Sequence, residues 1–382
     1  MKFLMISSYL PSVLNFRGKL LEAIAAKGYQ IVVIAPNHAE FPEQVQRLQQ
    51  LGYQLVDVPM QRTGTNPVAD LKTLFALYRA IRQIQPDILL SYTIKPVIYG
   101  TWAAKLAKVP QRFALITGLG YAFQRTQNQR QGMFQRVIHG MYKQALAYSD
   151  KVFFQNPDDL ALFRKLNLLE LNKPAVVVNG SGVDIARFEE VPLPVQPNGV
   201  IKVAFLLIAR LLGDKGVREY AEAAKIIKAQ YADVEFHLVG WLDQNPSSIR
   251  QSELDQWVID GRLHYWGRLQ DVRPAIAATS VYVLPSYREG TPRTVLEAMA
   301  MGRAIITTDA PGCRETVTDG DNGYLVEVKS VESLVQAMQR MIAEPEQIME
   351  MGKRSREIAL NKYDVHRVNG HMLQEMGLES SC

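Results

Sequence analysis

Two carboxylates eight positions apart, Glu289 and Glu297, flank a turn in the segment Ser286-Tyr-Arg-Glu289-Gly-Thr-Pro292-Arg-Thr-Val-Leu-Glu297-Ala. A carboxylate is an acceptor-only group with room for several donors, so a pair held near one sheet edge can take hydrogen bonds from sugar hydroxyls. Two cations, Arg210 and Lys215, lie in Ala209-Arg210-Leu-Leu-Gly-Asp-Lys215-Gly216, between an apolar run and a helical pattern. At the carboxyl end of a strand and beside a helix N-terminus, such cations stabilise a diphosphate together with free backbone N–H groups. The loop is not a P-loop, because the Gly-x-x-x-x-Gly-Lys-Ser/Thr order is absent. Each pattern alone also fits a solvated surface loop, and the elements around it must decide.

Those elements alternate. In the first half, short apolar or β-branched runs at Phe3–Ile6, Ile31–Ala35, Leu55–Val58, Ile88–Ser91, Arg112–Thr117, Lys151–Phe154 and Ala175–Val178 are separated by helical patterns. Alternation of this kind predicts βαβ units and a parallel sheet covered on both faces. It pauses in the proline-rich stretch Glu189–Gly199 and restarts with strands at Lys202–Ile208, Glu235–Val239, Leu263–Trp266, Val281–Pro285, Ala304–Thr307 and Gly323–Val326. The expected domains are 1–188, 200–360 and a tail 361–382 whose helix returns to the first domain, with a helical break near Glu344-Pro345. Pro292 suits a first helical turn, which puts Glu289 in the preceding loop and Glu297 on the helix.

Composition narrows the class. The chain has 382 residues, 47% hydrophobic and 21% charged, which suits a soluble protein of two domains. Two cysteines, Cys313 and Cys382, cannot build a disulfide framework, and no apolar run approaches a membrane span, so a cytoplasmic location is expected. The net charge of +5 is unevenly spread: no acidic residue lies between Asp87 and Asp150, where eight cations include Arg125, Arg130, Arg136 and Lys143. The stretch Tyr121–Ala145 interleaves those four with apolar residues, the pattern of a surface element lying on anionic lipid. Nucleic acid is a weaker partner for the same charge, because no recognition motif accompanies it.

Several ordered motifs of the second half together resemble family 4 of the retaining glycosyltransferases of GT-B fold. They are Ala209-Arg210 with Lys215-Gly216, Leu238-Val-Gly240, Trp266-Gly-Arg-Leu269, Val283-Leu-Pro-Ser286, Glu289-Gly290 through Glu297-Ala298, and Glu315 with Asp319-Gly-Asp-Asn-Gly323. The resemblance implies an α/β fold of two Rossmann-like, doubly wound parallel-sheet domains facing a central cleft. It implies that Arg210 and Lys215 bind the donor diphosphate, that Glu289 bonds hydroxyls of the transferred sugar, and that Glu297 bonds the ribose. Backbone around Arg268 and Leu269 would meet the base, and Gly290, Thr291, Thr294 and Val295 the phosphates and sugar. Ile208–Tyr220, Val239–Ser247 and Arg112–Gly120 are similar to the group that adds N-acetylgalactosamine to undecaprenyl-diphosphate-linked bacillosamine. The implied partners are a UDP-sugar and a polyprenyl-diphosphate-linked sugar, at the inner face of the cell membrane.

The first half departs from that pattern. Relatives carry a glycine pair in the first loop, where this chain reads Ser8-Tyr-Leu-Pro-Ser-Val-Leu-Asn15-Phe-Arg17-Gly18, so Asn15 and Arg17 become candidates for a phosphate or acceptor contact. Relatives also carry a histidine where Ile94 stands, which leaves Lys95 as a candidate. Gly118-Leu-Gly120 reads either as a backbone nest for an anion or as a plain tight turn. Asp319-Gly-Asp321 looks like a metal motif but reads better as a turn, and the six histidines show no metal-ligand spacing, so neither a metal nor a cofactor is expected. A dehydrogenase is disfavoured by the missing Gly-x-Gly-x-x-Gly. The rival readings are a UDP-sugar epimerase of the same fold, a transferase using another UDP-hexose, and a catalytically silent scaffold.

Overall fold

A computed structural model describes residues 1–61, 66–119, 129–243, 245 and 247–378, with backbone alone for 129–134. The chain folds into two units, Met1–Ser181 together with the residues from Val368 on, and Gly182–Arg367.

The first unit holds strands β1 (Lys2–Ile6), β2 (Gln30–Ala35), β3 (Gln54–Asp57), β4 (Ile88–Tyr92), β5 (Gln111–Ile116), β6 (Lys151–Phe154) and β7 (Ala175–Val177). All pair parallel in the order 3-2-1-4-5-6-7. Its central strands are buried on both faces, which is why they read as continuous apolar runs rather than alternating ones. Regular helices were expected after β1 and β4. Instead each strand runs into a π-helical turn, Val13–Arg17 and Pro96–Gly100, before the helices Gly18–Ala25 and Thr101–Leu106.

The second unit holds β8 (Ala204–Ile208), β9 (Glu235–Val239), β10 (His264–Tyr265), β11 (Val281–Leu284), β12 (Ala304–Thr308) and β13 (Gly323–Val326), parallel in the order 10-9-8-11-12-13. One helix escaped the sequence reading, Gln251–Ile259. It buries only Leu254 and Trp257 and leaves Ile259 79% exposed, so its apolar period is too thin to stand out.

The proline-rich segment 189–199, expected as an exposed connector, belongs to the second unit, and the division falls before it, at Ser181. Arg303 explains this. Its guanidinium is fully buried and donates to the carbonyls of Val191 (2.9 Å), Pro192 (3.3 Å), Met301 (2.9 Å) and Ile276 (3.0 Å), pinning the start of the segment to the sheet edge. Burial holds the Arg303 pKa down to about 10. A proline-rich stretch carries no signal that a distant arginine binds its carbonyls.

The tail forms helices Val331–Ala343, Pro345–Ile358 and Val365–Glu375. Met372, Leu373 and Met376 join the first unit's core with Phe3, Met5 and Leu21, and Lys151 Nζ meets Glu375 Oε2 at 2.7 Å. No helix of the described residues is long and apolar enough to cross a membrane.

Arg303→Met keeps the apolar stem and removes the donors of four carbonyl bonds. It is expected to lower the unfolding free energy by about 2–4 kcal/mol in urea denaturation.

Candidate functional site

In the second sheet the strand order reverses between β8 and β11, and open α/β sheets bind ligands beyond the carboxyl ends of the strands at such a switch point. The loop after β8 carries Arg210 and Lys215, and the loop after β11 carries Glu289. The two loops meet. Lys215 Nζ stands 2.5 Å from Glu289 Oε1, with both side chains more than four-fifths buried. Ser286 Oγ, fully buried, donates to the same Oε1 at 2.8 Å. Tyr287 N donates to Asp214 O at 2.9 Å and ties the loops along the backbone.

Glycine makes the contact possible. Gly216 has φ +69°, and a Cβ there would stand 2.2 Å from Pro285 O. Gly312, at φ +83°, lies against the next segment, where a Cβ would stand 2.2 Å from Glu289 O while Glu289 N donates to Pro311 O at 2.9 Å. Glu289 is therefore held from three strands' loops, its carboxylate by Lys215 and Ser286 and its backbone by the loop after β12, which was not among the residues expected from sequence. The Ala310-Pro-Gly312 turn signal was its only mark.

Arg210 does not join that pair. Its Nη1 meets Asp243 Oδ2 at 3.2 Å, in the loop after β9, with both groups part-exposed. In the same loop Trp241 is 40% exposed and the Arg268 guanidinium lies 4.9 Å from its ring centre. Leu269 is half-buried against the core. Leu211 N donates to Trp241 O at 3.0 Å and Gly240 N to Gly267 O at 2.9 Å, so the loops after β8, β9 and β10 form one continuous edge.

Glu297 is not the exposed helical residue that its spacing also allowed. It is buried on the helix Arg293–Ala300, with Oε1 accepting from Arg293 Nε at 2.9 Å. Burial raises its pKa above the ordinary carboxylate range; the nearby Arg293 and, more weakly, Arg187 oppose that, and Asp271 adds to it. Arg187 and Asp271 were missed because nothing local to Glu297 in sequence points to them. Pro292 is the N-cap rather than the first helical residue. Thr294 Oγ1 lies 2.6 Å from the buried Tyr282 hydroxyl, which also reaches Ile208 O at 3.1 Å, so Thr294 fastens the helix to β8 and β11. Val295 is buried and its N–H donates to Pro292 O at 3.1 Å. Gly290 and Thr291 fill the turn between Glu289 and that helix.

The segment Asp319–Asn322 is a turn: Asp319 Oδ1 accepts from Leu325 N at 2.9 Å and Asp321 pairs with Arg354 at 2.8 Å. Among the described residues no group of three or more His, Cys, Asp or Glu side chains is placed to hold a metal.

In the first unit the candidates scatter. Lys95 is held by Asp70 at 2.6 Å, with both side chains mostly buried. Arg17 is buried, its guanidinium 6.0 Å from the Tyr92 ring centre, whereas Asn15 is exposed. Gly118 is exposed with open space around it, and Gly120 lies outside the described residues, as do 121–128 of the basic stretch with Arg125 among them; Arg136 and Lys143, on the helix Gln129–Tyr148, are exposed. At the switch between β1 and β4, Thr93 takes a left-handed φ of +69°, costly for a β-branched residue, with Oγ1 2.9 Å from Ser8 Oγ.

Comparison with known proteins follows the same division. A family model described as glycosyl transferase 4-like matches residues 12–156, and one described as glycosyl transferases group 1 matches 202–344. The N,N'-diacetylbacillosaminyl-diphospho-undecaprenol alpha-1,3-N-acetylgalactosaminyltransferase of Campylobacter jejuni is 30% identical over 361 residues, 92% of each chain. This chain belongs to glycosyltransferase family 4. A UDP-Gal:alpha-D-GlcNAc-diphosphoundecaprenol alpha-1,3-galactosyltransferase of Escherichia coli is 26% identical over 81% of the chain and 79% of its own length. Among solved structures, sucrose-phosphate synthase of Thermosynechococcus elongatus matches with TM-score 0.79 at 18% identity over 98% of both chains. Anabaena HepE in complex with UDP matches at 0.75 and 18% identity, over 99% of this chain and all of its own. The glycosyltransferase thus has the GT-B fold, and it is a hexosyltransferase.

Gly312→Ala is expected to cost the transferase about 2–3 kcal/mol of stability, because the methyl group meets backbone that cannot yield and φ is positive. Gly118→Ala, in open space, is expected to stay within about 0.5 kcal/mol of the native chain; chemical denaturation of both reads the contrast.

Proposed function

We propose that the enzyme transfers a hexosyl unit, N-acetylgalactosamine by first expectation, from a UDP-sugar to an undecaprenyl-diphosphate-linked sugar, with retention, in bacterial surface-glycan or glycoprotein-glycan assembly. The observation that carries the reading is the Lys215–Glu289 pair at the β8/β11 switch point, in a chain 30% identical over nine-tenths of its length to a transferase of that name.

In this reading the donor diphosphate takes Lys215 and Arg210, each now held by a carboxylate, and Glu289 accepts hydroxyls of the sugar. The bond between the sugar's anomeric carbon and the diphosphate oxygen breaks, a bond from that carbon to the acceptor hydroxyl forms on the same face, and the acceptor proton goes to the departing phosphate. The two cations offset the charge that develops on UDP, so no metal is assigned to the reaction. Glu297, ionised, accepts the ribose hydroxyls, and Arg268 with Leu269 borders the base. Asn15, Lys95, Gly118 and Gly120 remain the acceptor-side candidates, whereas Arg17, expected among them from sequence, is buried against Tyr92 and is withdrawn. The basic first unit works at the inner face of the membrane, where the acceptor lipid lies.

The test is UDP release from a panel of UDP-hexoses, with and without undecaprenyl-diphosphate-linked sugar in detergent, repeated in EDTA. Acceptor-dependent, chelator-insensitive release is expected, reduced about tenfold or more in Lys215→Ala and in Glu289→Gln, since each loses a charge-assisted hydrogen bond. Normal turnover in Glu289→Gln would sink the assignment, and conversion of donor without free UDP would replace transfer by epimerisation.

The raised Glu297 pKa gives a second test. Ribose binding needs the ionised carboxylate, and protonation begins at a higher pH than for an ordinary glutamate. UDP affinity measured by calorimetry should therefore begin to fall at a higher pH on acidification than an exposed glutamate would give, and Glu297→Gln should bind more weakly and fall less steeply.

A further inference from the structure

The helix Pro67–Ile84 carries an outward apolar stripe. Val68, Leu71 and Phe75, at helical spacing i, i+3 and i+7, are 65%, 67% and 60% exposed. The same stripe continues with Arg79 and Arg82, both exposed, and Lys72 lies at its edge. One face thus reads apolar for two turns and cationic for the next two, and the Arg79 guanidinium stands 5.8 Å from the Phe75 ring centre where the halves join. The opposite face is ordinary core: Thr73, Leu77, Ala80, Ile81 and Ile84 are buried.

The carboxylates nearby do not offset this charge. From Val58 to Ser149 the chain has two, Asp70 and Asp87. Asp70 is taken by Lys95 at 2.6 Å, and Asp87 accepts from Lys2 N at 2.7 Å. On the neighbouring helix Thr101–Leu106, Leu106 is 63% exposed beside the exposed Lys105 and Lys108.

We propose that Val68, Leu71 and Phe75 insert into the acyl boundary of an anionic phospholipid bilayer while Arg79 and Arg82 sit among its headgroup phosphates. Val68 to Phe75 covers about 10 Å along the helix axis, two turns of apolar surface that an interfacial helix can lay into the acyl boundary. Cations flanking exposed apolar side chains match anionic lipid. A second copy could cover the apolar residues but would leave Arg79 and Arg82 without an anion to meet. This deepens the membrane-surface reading above, which rested on a different stretch, by assigning the anchor to one helix and three side chains.

The experiment is co-sedimentation with vesicles of phosphatidylcholine mixed with phosphatidylglycerol and of phosphatidylcholine alone, alongside sugar transfer to acceptor dispersed in detergent. The native chain should bind the mixed vesicles. L71S/F75S should bind them about tenfold or more weakly, with detergent-phase transfer unchanged, because each large apolar side chain left in water forfeits on the order of tenfold in partition. R79Q/R82Q should lose the preference for phosphatidylglycerol. In F75W, tryptophan emission should shift to the blue on adding mixed vesicles, which reads insertion without truncating the stripe. Unaltered vesicle binding by L71S/F75S overturns the proposal, as does loss of self-association with vesicle binding intact. A native chain that transfers sugar yet ignores vesicles also overturns it and leaves the transferase reading standing. Vesicle binding lost in L71S/F75S, with no transfer by any form, supports the surface and removes the proposed reaction.

Discussion

The loop after β8 and the loop after β11 touch through Gly216 and the carbonyl of Pro285, with no room for a side chain between them. That contact sets the positions of Lys215 and Glu289, since each residue lies within a few positions of it along its own loop. Gly312 repeats the device one strand further on, against the carbonyls of Glu289 and Gly290, and Gly240 repeats it on the other side, where a Cβ would stand 2.1 Å from Ala209 O. Four loops therefore lie backbone to backbone along the carboxyl edge of one sheet. Rigid main-chain contacts hold a charged side chain to a fraction of an ångström where solvent-exposed loops would not.

The charges respond to that rigidity. Lys215 and Glu289 are withdrawn from water together, which costs desolvation that their attraction and the Ser286 hydroxyl must offset. Arg210 and Asp243 keep more solvent and are correspondingly looser. In the proposed reaction an incoming diphosphate competes with two carboxylates for two cations. The carboxylates keep the cations oriented while the site is empty, and Glu289, once its lysine turns to phosphate, has acceptor capacity left for hydroxyls. One pair thereby serves two parts of the same donor.

How legible this was depends on where the information is stored. The strands could be read because a sheet covered on both faces writes itself as apolar runs, and the loops because Gly and Pro punctuate them. The motif that holds Lys215 and Glu289 was visible since each half is local. Arg303 binding the carbonyls of Val191 and Pro192 was not, because a carbonyl has no residue type. Glu297 could be placed on its helix but not judged buried, and the long-range charges that act on it, Arg187 and Asp271, lie far away in sequence. Asp243 and Gly312 were missed for the same reason, each acting on a partner from another strand's loop. The stripe Val68–Phe75 was hidden by its own periodicity, which looks like core until the structure shows the opposite face buried instead.

The first unit has an opening of the same kind, between β1 and β4, and there the chain has taken a different route. A glycine pair would let a phosphate meet bare backbone. This chain has Ser8, Ser12, Tyr92 and Thr93, whose hydroxyls pair across the opening: Ser8 with Thr93 at 2.9 Å and Ser12 with Tyr92 at 2.7 Å. Both strands leave through π-helical turns and Thr93 is strained, so irregular backbone, costly to maintain, concentrates at that edge. Arg17 ends one of these turns with its guanidinium buried against Tyr92, too deep to serve as a surface cation. Its charge faces the ring of Tyr92, whose hydroxyl meets Ser12, so the polarity of this opening belongs to a buried network rather than to any residue that its sequence motif displays.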